Sequence, residues 1–267
     1  MIKAAVLGSP ISHSLSPLLH NTAYEQLGVQ GSYEAIEVNA GGLTKFMDDR
    51  DDSWTGFSLT MPLKEEAIAY AQHVDELAKR INSANTLYRD GGAWHATSTD
   101  VLGFSQALKS HKIDIKGHVV ILGSGATARA AAAACDGAAE RITVINRSLS
   151  RVAGMSEVVI NSELSFLNWD DLSVLSDADL VISTAPAGVT DSIELPNKTS
   201  APFFEALYKP WPTPASALWA SRGGTVIDGL ELLIHQAIAQ ISIFTGASVD
   251  ISAMYTQLRG VGLAALK

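Results

Sequence analysis

The chain has 267 residues, enough to bury a substantial core and better suited to two modest domains than to one large one. Its 47% apolar and 18% charged residues are ordinary for a globular protein, and a net charge of −9 argues against nonspecific binding to nucleic acid or an anionic membrane. A single cysteine, Cys135, excludes an intramolecular disulfide, and no apolar run approaches the ~20 residues of a membrane span.

Strand-like sequence begins at once with Lys3-Ala-Ala-Val-Leu-Gly8, which leaves no room for a signal peptide and gives the expectation of a cytoplasmic protein. Ala4–Leu7, closed by Gly8, is expected as a buried strand. Ser16-Pro17 then reads as an N-cap followed by proline at the first helical position, and the helix on Leu18, Leu19, Ala23 and Leu27 should stop at Gly28. Tyr33–Val38 and Trp54–Leu59 are further strands. Pro62 is expected to open a helix on Ala67, Ile68 and Ala71. Thr86–Tyr88 and Ala93–Ala96 flank Asp90-Gly91-Gly92, a hairpin signal.

A second α/β unit starts after Lys116-Gly117, with strands at Val119–Leu122, Ile142–Ile145, Leu180–Ser183 and Thr225–Ile227 and a helix at Ala126–Ala134. Cys135 ends the alanine-rich run of that helix and reads as a small buried residue. Helical spacing returns from Leu230 to Phe244 and from Ile251 to Leu266. The expected domains are therefore 1–101, 102–228 and a C-terminal helical piece, 229–267, that packs back on the first. The fold class is α/β, a mainly parallel sheet followed by a Rossmann-type domain.

Two places carry chemistry. Lys64, in Gly56-Phe-Ser-Leu-Thr-Met-Pro-Leu-Lys64, and Asp100, in Ala96-Thr-Ser-Thr-Asp100, each sit just past a strand, where open α/β sheets build their sites. Such a pair can hold a proton ready for a carbonyl oxygen, with Asp100 orienting the lysine and favouring its charged form. Gly123-Ser124-Gly125-Ala126-Thr127-Ala128 follows a strand and precedes a helix, the setting of a dinucleotide-binding turn. NAD enzymes place a carboxylate at the end of the next strand; here that strand ends Ile145-Asn146-Arg147-Ser148, with Arg151 close by. Two guanidinium groups suit a 2′-phosphate, so NADP is expected over NAD. The seven histidines show no metal-ligand spacing with Cys135, so no metal is expected; His13 and His20 read as capping or packing the first helix. Taken singly, Ser14 and Ser16 would be capping serines, Lys64 a solvated helix residue, Asn85 a turn residue and Gln236 a polar break in an amphipathic helix.

Together these segments resemble the shikimate/quinate dehydrogenase family. The resemblance rests on Gly8-Ser-Pro-Ile-Ser-His-Ser14-Leu-Ser16-Pro17, Leu19-His20-Asn21, Leu59-Thr60-Met-Pro-Leu-Lys64, Ser83-Ala-Asn85-Thr86 and Ser98-Thr-Asp100. It continues through the glycine turn, Asn146-Arg147-Ser148, Tyr208-Lys-Pro-Trp-Pro-Thr213-Pro214 and Gly229-Leu-Glu-Leu-Leu-Ile-His-Gln236, in the family's order over nearly the whole chain. It implies reversible NADPH-dependent reduction of 3-dehydroshikimate to shikimate, an oxidoreductase step of aromatic amino-acid biosynthesis. Ser14 and Ser16 would bind the substrate carboxylate, Thr60, Asn85 and Gln236 its ring hydroxyls, and Tyr208 would lie near the carboxylate end. Lys64 would be the principal acid/base with Asp100 its partner. The cofactor would meet Gly123, Ser124, Gly125, Ala126, Asn146, Arg147, Ser148, Arg151 and Gly229. A monomer or homodimer acting on a small molecule, with no nucleic-acid or membrane partner, is expected.

Three blocks depart from the family pattern. The usual Asp-Asn-Thr-Asp-Gly reads Thr97-Ser98-Thr99-Asp100-Val101, the usual Asn-Ala-Thr-Pro reads Ser183-Thr184-Ala185-Pro186, and Ser148 stands for the commoner threonine. Two rivals stand beside the leading reading: an NAD-dependent quinate/shikimate dehydrogenase, which should prefer an acidic residue near 147, and a noncatalytic NADP-binding regulator, against which the retention of Lys64 and Asp100 argues.

Overall fold

A computed structural model describes residues 1–147, 152–197 and 199–267. The chain divides into two compact units, Met1–Leu102 with Leu233–Lys267, and Gly103–Leu232.

The first unit contains β1 (Ile2–Gly8), α1 (Ser16–Leu27), β2 (Gly31–Glu37), α2 (Leu43–Asp48), β3 (Gly56–Leu59), α3 (Glu66–Tyr70), β4 (His73–Val74), α4 (Glu76–Arg80), β5 (Thr86–Asp90) and β6 (Ala93–Thr97). Its sheet runs β2-β1-β3-β5-β6-β4, parallel across β2, β1 and β3 and antiparallel through the β5–β6 hairpin. The core on one face of this sheet gathers Leu7, Leu43, Met47, Trp54, Phe57, Leu63 and Trp94. The unit boundaries fall inside α5 (Asp100–Ser110) and α9 (Gly229–Thr245).

The second unit contributes β7 (His118–Leu122), α6 (Ala126–Cys135), β8 (Arg141–Asn146), α7 (Val152–Ser156), β9 (Glu163–Asn168), β10 (Leu180–Ser183), β11 (Phe203–Glu205), α8 (Pro214–Ser221) and β12 (Val226–Ile227). Every pairing in its sheet is parallel, in the order β12-β11-β10-β7-β8-β9. Read from the other edge this is the 3-2-1-4-5-6 order of a doubly wound dinucleotide fold. β7 is buried along its whole length, as expected of a central strand in a sheet covered on both faces. Cys135 is buried, and burial pushes its thiol up to about 12. After α9, α10 (Ile251–Ala265) ends the chain.

The α/β class and the mainly parallel sheets are as the sequence led us to expect; several local details differ. Ser16 does not cap α1 but is its first residue, and Ser14 Oγ accepts the Ser16 N–H at 3.2 Å. Gly28, at φ 65°, ends that helix in the left-handed conformation that glycine permits. Pro62 lies inside a turn over residues 60–63, closed by Leu63 N donating to Thr60 O at 2.9 Å, and the helix proper starts only at Glu66. Lys64 therefore lies on a turn. Five helices escaped the sequence reading: α2, α4, α7, eight-residue α8, and eleven-residue α5, although Phe104, Ala107 and Leu108, which are buried, stand at helical spacing in it. α2, α4 and α7 are only five or six residues long, below the length at which periodicity is visible, and α4 is held by its Asp75 cap accepting from Ala78 N. Two-residue β4 and three-residue β11 escaped it for the same reason, and six-residue edge strand β9 escaped it as well. Among the described residues, no helix is long and apolar enough to cross a membrane.

Candidate active site

In the first unit the order β2-β1-β3 makes a switch point at the carboxyl ends of β1 and β3, because the chain leaves β1 on one side and returns to pair on the other. Gly8 ends β1 there, and a Cβ on it would stand 2.4 Å from Thr60 Cγ2. Only glycine lets the two strand exits come so close. The segment after β1 carries Ser14 and Ser16, and the turn after β3 carries Thr60 and Lys64.

The hairpin supplies the rest. Asn85 precedes β5, whose antiparallel pairing with β3 sets its carbonyl against Leu59 N at 2.7 Å. β6 runs back beside β5 with Thr97 opposite Thr86, so Ser98-Thr99-Asp100 emerges next to Asn85. Ala84 N donates to Lys64 O at 2.9 Å, which ties the lysine's own turn to this strand start. Three strand ends thus bring Lys64, Asn85 and Asp100 together.

Lys64 Nζ lies 2.5 Å from Asp100 Oδ2, with side chains 13% and 5% exposed. Such a pair is a poor source of net stability, since both charges leave water, but removing one partner strands the other. Asn85 Nδ2 donates to Asp100 Oδ1 at 2.8 Å, to Thr99 Oγ1 at 2.9 Å and towards Gln236 Oε1 at 3.2 Å. Gln236 reaches this point from α9, where its own Nε2 donates to Leu233 O. Asp100 is therefore gripped on both oxygens, and the lysine ammonium, with three N–H donors, retains two beyond the one given to Asp100. The arrangement can deliver a proton to an oxygen placed beside it.

Ser14 is partly buried and Ser16 is buried, both on the same chain segment as His20. His20 is fully buried and stacks on Tyr33 with ring centroids 3.9 Å apart; burial, partly offset by the neighbouring Gln240 side chain, lowers its pKa to about 3. It packs α1, one of the two roles expected of it.

In the second unit the switch point lies between β7 and β10. Gly123 leaves β7 at φ 114°, a conformation open to glycine, and a Cβ there would stand 2.6 Å from Thr184 Oγ1 on the exit of β10. Thr184 is in turn fixed by its N–H and hydroxyl, both donating to Leu122 O at 2.9 Å. The altered Ser183-Thr184-Ala185-Pro186 block thus packs directly on the glycine turn. Gly125 is the N-cap of α6 with no capping side chain, so the first-turn N–H groups are left for an anion. Ser124 and Ala126 flank it. Asn146 is buried at the end of β8 and Arg147 follows, exposed. Ser148 and Arg151 lie outside the described residues.

Tyr208 and Gly229 occupy a second cluster in this unit. Gly229 N donates to Leu207 O at 3.2 Å, and a Cβ on Gly229 would stand 2.2 Å from Ala206 O, so this glycine allows two backbone segments to touch. Glu205, before them, accepts from Leu207 N at 3.3 Å and Thr213 Oγ1 at 3.2 Å, and burial pushes its carboxyl up to about 7 against those bonds. Tyr208 is partly buried on the loop so anchored. Sequence reading missed Glu205, Thr184, Thr86, Thr99 and Gln240. A polar residue four places after Gln236 on an apolar helix was the one available signal for the last. Among the described residues, no group of three or more His, Cys, Asp or Glu side chains could hold a metal.

Comparison with known proteins bears directly on these two sites. Residues 6–87 match the family model of the shikimate dehydrogenase substrate binding domain, 106–190 that of shikimate/quinate 5-dehydrogenase, and 229–259 that of the shikimate 5′-dehydrogenase C-terminal domain. The shikimate dehydrogenase (NADP(+)) of Staphylococcus epidermidis is 33% identical over 264 residues, covering 95% of this chain and 94% of the relative. The crystal structure of Mycobacterium tuberculosis shikimate dehydrogenase superposes with a TM-score of 0.85 at 36% identity, covering 98% of this chain and 100% of that one. That of Thermus thermophilus shikimate 5-dehydrogenase in complex with NADP(H) and shikimate gives 0.86 at 32% identity, covering 97% and 99%. With matches of this extent at both sites, the chain belongs to the shikimate dehydrogenase family.

Proposed function

We propose that the protein catalyses the reversible reduction of 3-dehydroshikimate to shikimate with NADPH. The observation that carries this reading is the largely buried contact of Lys64 Nζ with Asp100 at the exits of β3 and β6. The residues after β7 and β8 fit the cofactor: an uncapped helix N-terminus for the pyrophosphate and Arg147 for the 2′-phosphate. When bound, NADPH supplies the hydride that reduces the ketone carbon.

This chain's own residues supply the proton and the alignment. Lys64, held by Asp100, polarises the ketone oxygen and gives it a proton as the hydride arrives; in the oxidative direction the neutral amine takes the proton of the hydroxyl. The proton belongs to the pair rather than to either residue alone. Ser14 and Ser16 bind the substrate carboxylate, Thr60, Asn85 and Gln236 hold the ring hydroxyls, and Tyr208 serves the carboxylate end. Gly123, Ser124, Gly125, Ala126, Asn146, Arg147, Ser148, Arg151 and Gly229 form the cofactor set. In this reading residues 1–101 with the C-terminal helices of 229–267 bind substrate and 102–228 bind NADP. The protein works in the cytoplasm as a monomer or homodimer.

A spectrophotometric matrix of shikimate and quinate, each with NADP⁺ and NAD⁺, tests this. Turnover concentrated on shikimate with NADP⁺ is the expected result. Dominant turnover of quinate with NAD⁺ would make the protein the catabolic relative, and NADP⁺ binding without any turnover would make it a regulator.

A further inference from the structure

Behind Lys64 and Asp100, a chain of hydrogen bonds runs through the first unit in one direction. The Tyr33 hydroxyl donates to Ser58 Oγ at 2.6 Å, and Ser58 donates to Gln240 Oε1 at 2.7 Å. Gln240 passes the polarity on from its other end, its Nε2 donating to Thr86 Oγ1 at 2.9 Å and to the Asn85 carbonyl at 3.1 Å. Accepting from Gln240 through one lone pair, the Thr86 hydroxyl gives its single hydrogen to Asn85 Oδ1 at 2.8 Å. The Thr99 N–H donates to the same oxygen at 2.8 Å.

Three donors face Asn85 Oδ1, the two above and the Thr99 hydroxyl at 3.2 Å, and together they decide which way its amide faces. Nδ2 is left to meet Asp100 Oδ1 at 2.8 Å, while Lys64 takes Asp100 Oδ2. Turned over, the amide would set an oxygen against a carboxylate oxygen and an NH₂ against an N–H. Gln240 is the member of the chain that cannot be replaced by rotation, because a glutamine uses a fixed acceptor at one end and a fixed donor at the other. It is fully buried, with no water access to substitute for either end, and it ties residues 58, 85 and 86 to α9.

We propose that Gln240 is a positioning residue: acting through Thr86 it fixes the Asn85 amide, and thereby holds Asp100 in place against Lys64. Its kinetic consequence rests on the dehydrogenase reading above; the orientation of the amide does not. Gln240→Met removes both polar ends at nearly constant volume, Thr86→Val removes the relayed hydroxyl, and Thr86→Ser keeps it.

The first readout is the Asn85 side-chain NH₂ signal in a nitrogen–proton correlation spectrum, assigned by its loss in Asn85→Asp. Its exchange with water should quicken ~10-fold or more in Gln240→Met and in Thr86→Val and return to the wild-type rate in Thr86→Ser. The second is turnover of shikimate with NADP⁺. Each of the first two variants should lose ~10-fold in kcat, and the double variant should fall no more than about twofold further, since both break one chain. NADP⁺ affinity, followed by fluorescence, should stay at the wild-type value, which a general loss of folding would not allow. Wild-type amide exchange in both variants, or kcat losses that multiply in the double variant, would overturn the proposal. Should Gln240→Met not fold, the Thr86→Val and Thr86→Ser pair decides the same question. A wild type inactive on shikimate would sink the proposed reaction, while the amide exchange would still decide the role of Gln240.

Discussion

The two units place functional groups at equivalent points of their sheets by opposite means. In the first, side chains from strand exits and a C-terminal helix meet in a buried polar network: Lys64, Asn85, Asp100, Gln236 and Gln240. In the second, the switch point is made of backbone, with Gly123 against Thr184 and an uncapped helix beyond Gly125. A network tolerates no missing partner, since each buried polar group depends on the next. A backbone cradle tolerates side-chain change but not added volume. Failure should therefore take different forms: lost turnover in the first unit, lost cofactor affinity in the second.

Lys64→Ala should set the two units furthest apart. It removes the proposed proton donor and leaves the Asp100 carboxylate buried without its cation. We expect kcat to fall ~10³-fold with NADP⁺ binding retained, and stability to fall by roughly 3 kcal/mol. Steady-state kinetics, cofactor titration and a melting curve read these together. Turnover within tenfold of wild type would remove Lys64 from the mechanism.

Gly123→Ala is the counterpart in the second unit. At φ 114° and 2.6 Å from Thr184 Oγ1, a Cβ is disfavoured both by the backbone and by its neighbour. NADP⁺ affinity should drop by ~10- to ~100-fold, with ~1–3 kcal/mol of strain as its source. Combining it with Thr184→Gly should recover part of that loss, because space returns while the backbone conformation stays unfavourable. Full recovery would show that crowding alone was responsible. A smaller change is expected at Arg147, where alanine should raise the KM for NADP⁺ by ~10-fold and leave that for NAD⁺ nearly untouched, as the loss of one charge-assisted bond to a 2′-phosphate requires. Equal effects on both cofactors would end the argument for phosphate selection at this residue.

How much of this was legible in sequence follows the same division. The glycine turn could be read because its elements are local: a strand, two glycines and a helix start within a dozen residues. Lys64 and Asp100 could be singled out because each follows a strand, and Asn85 and Gln236 through the family motif. Their mutual geometry was not readable, because Ser58 and Gln240 meet across 182 positions and only the β3–β5–β6 pairing brings Asn85 beside Asp100. The Ser16 cap failed for a different reason. Two serines two residues apart offer the same local signal, and only the tertiary path of the segment selects Ser14 as the acceptor. Short α2, α4 and β11 are stable only through packing, so neither propensity nor periodicity could mark them.

The faintest of these effects also separates the units most cleanly, through the sign of its pH dependence. His20 in the first unit is driven from 6.5 down to about 3, chiefly by burial. Between those values the unfolded chain binds a proton that the native state refuses, so this unit loses stability as pH falls below 6.5. Glu205 in the second unit is driven by burial from 4.5 up to about 7. There the native state keeps a proton that the unfolded chain releases, so its contribution is whole below 4.5 and is lost as pH rises through 7. Each slope has a ceiling of ~1.4 kcal/mol per pH unit and should be smaller in practice. Amide exchange corrected for intrinsic rates can follow Leu7 and Phe57 beside Val181 and Phe204 between pH 5 and 7. Protection should rise with pH in the first pair, a trend that His20→Phe should flatten. In the second unit His118, whose pKa is lowered by burial and by Arg141, acts against Glu205, so the quantity to follow there is the difference between wild type and Glu205→Gln, which should fall as pH rises. If His20→Phe left the slope of the first unit unchanged, or Glu205→Gln that of the second, the buried group in that unit would not be the source of its pH dependence.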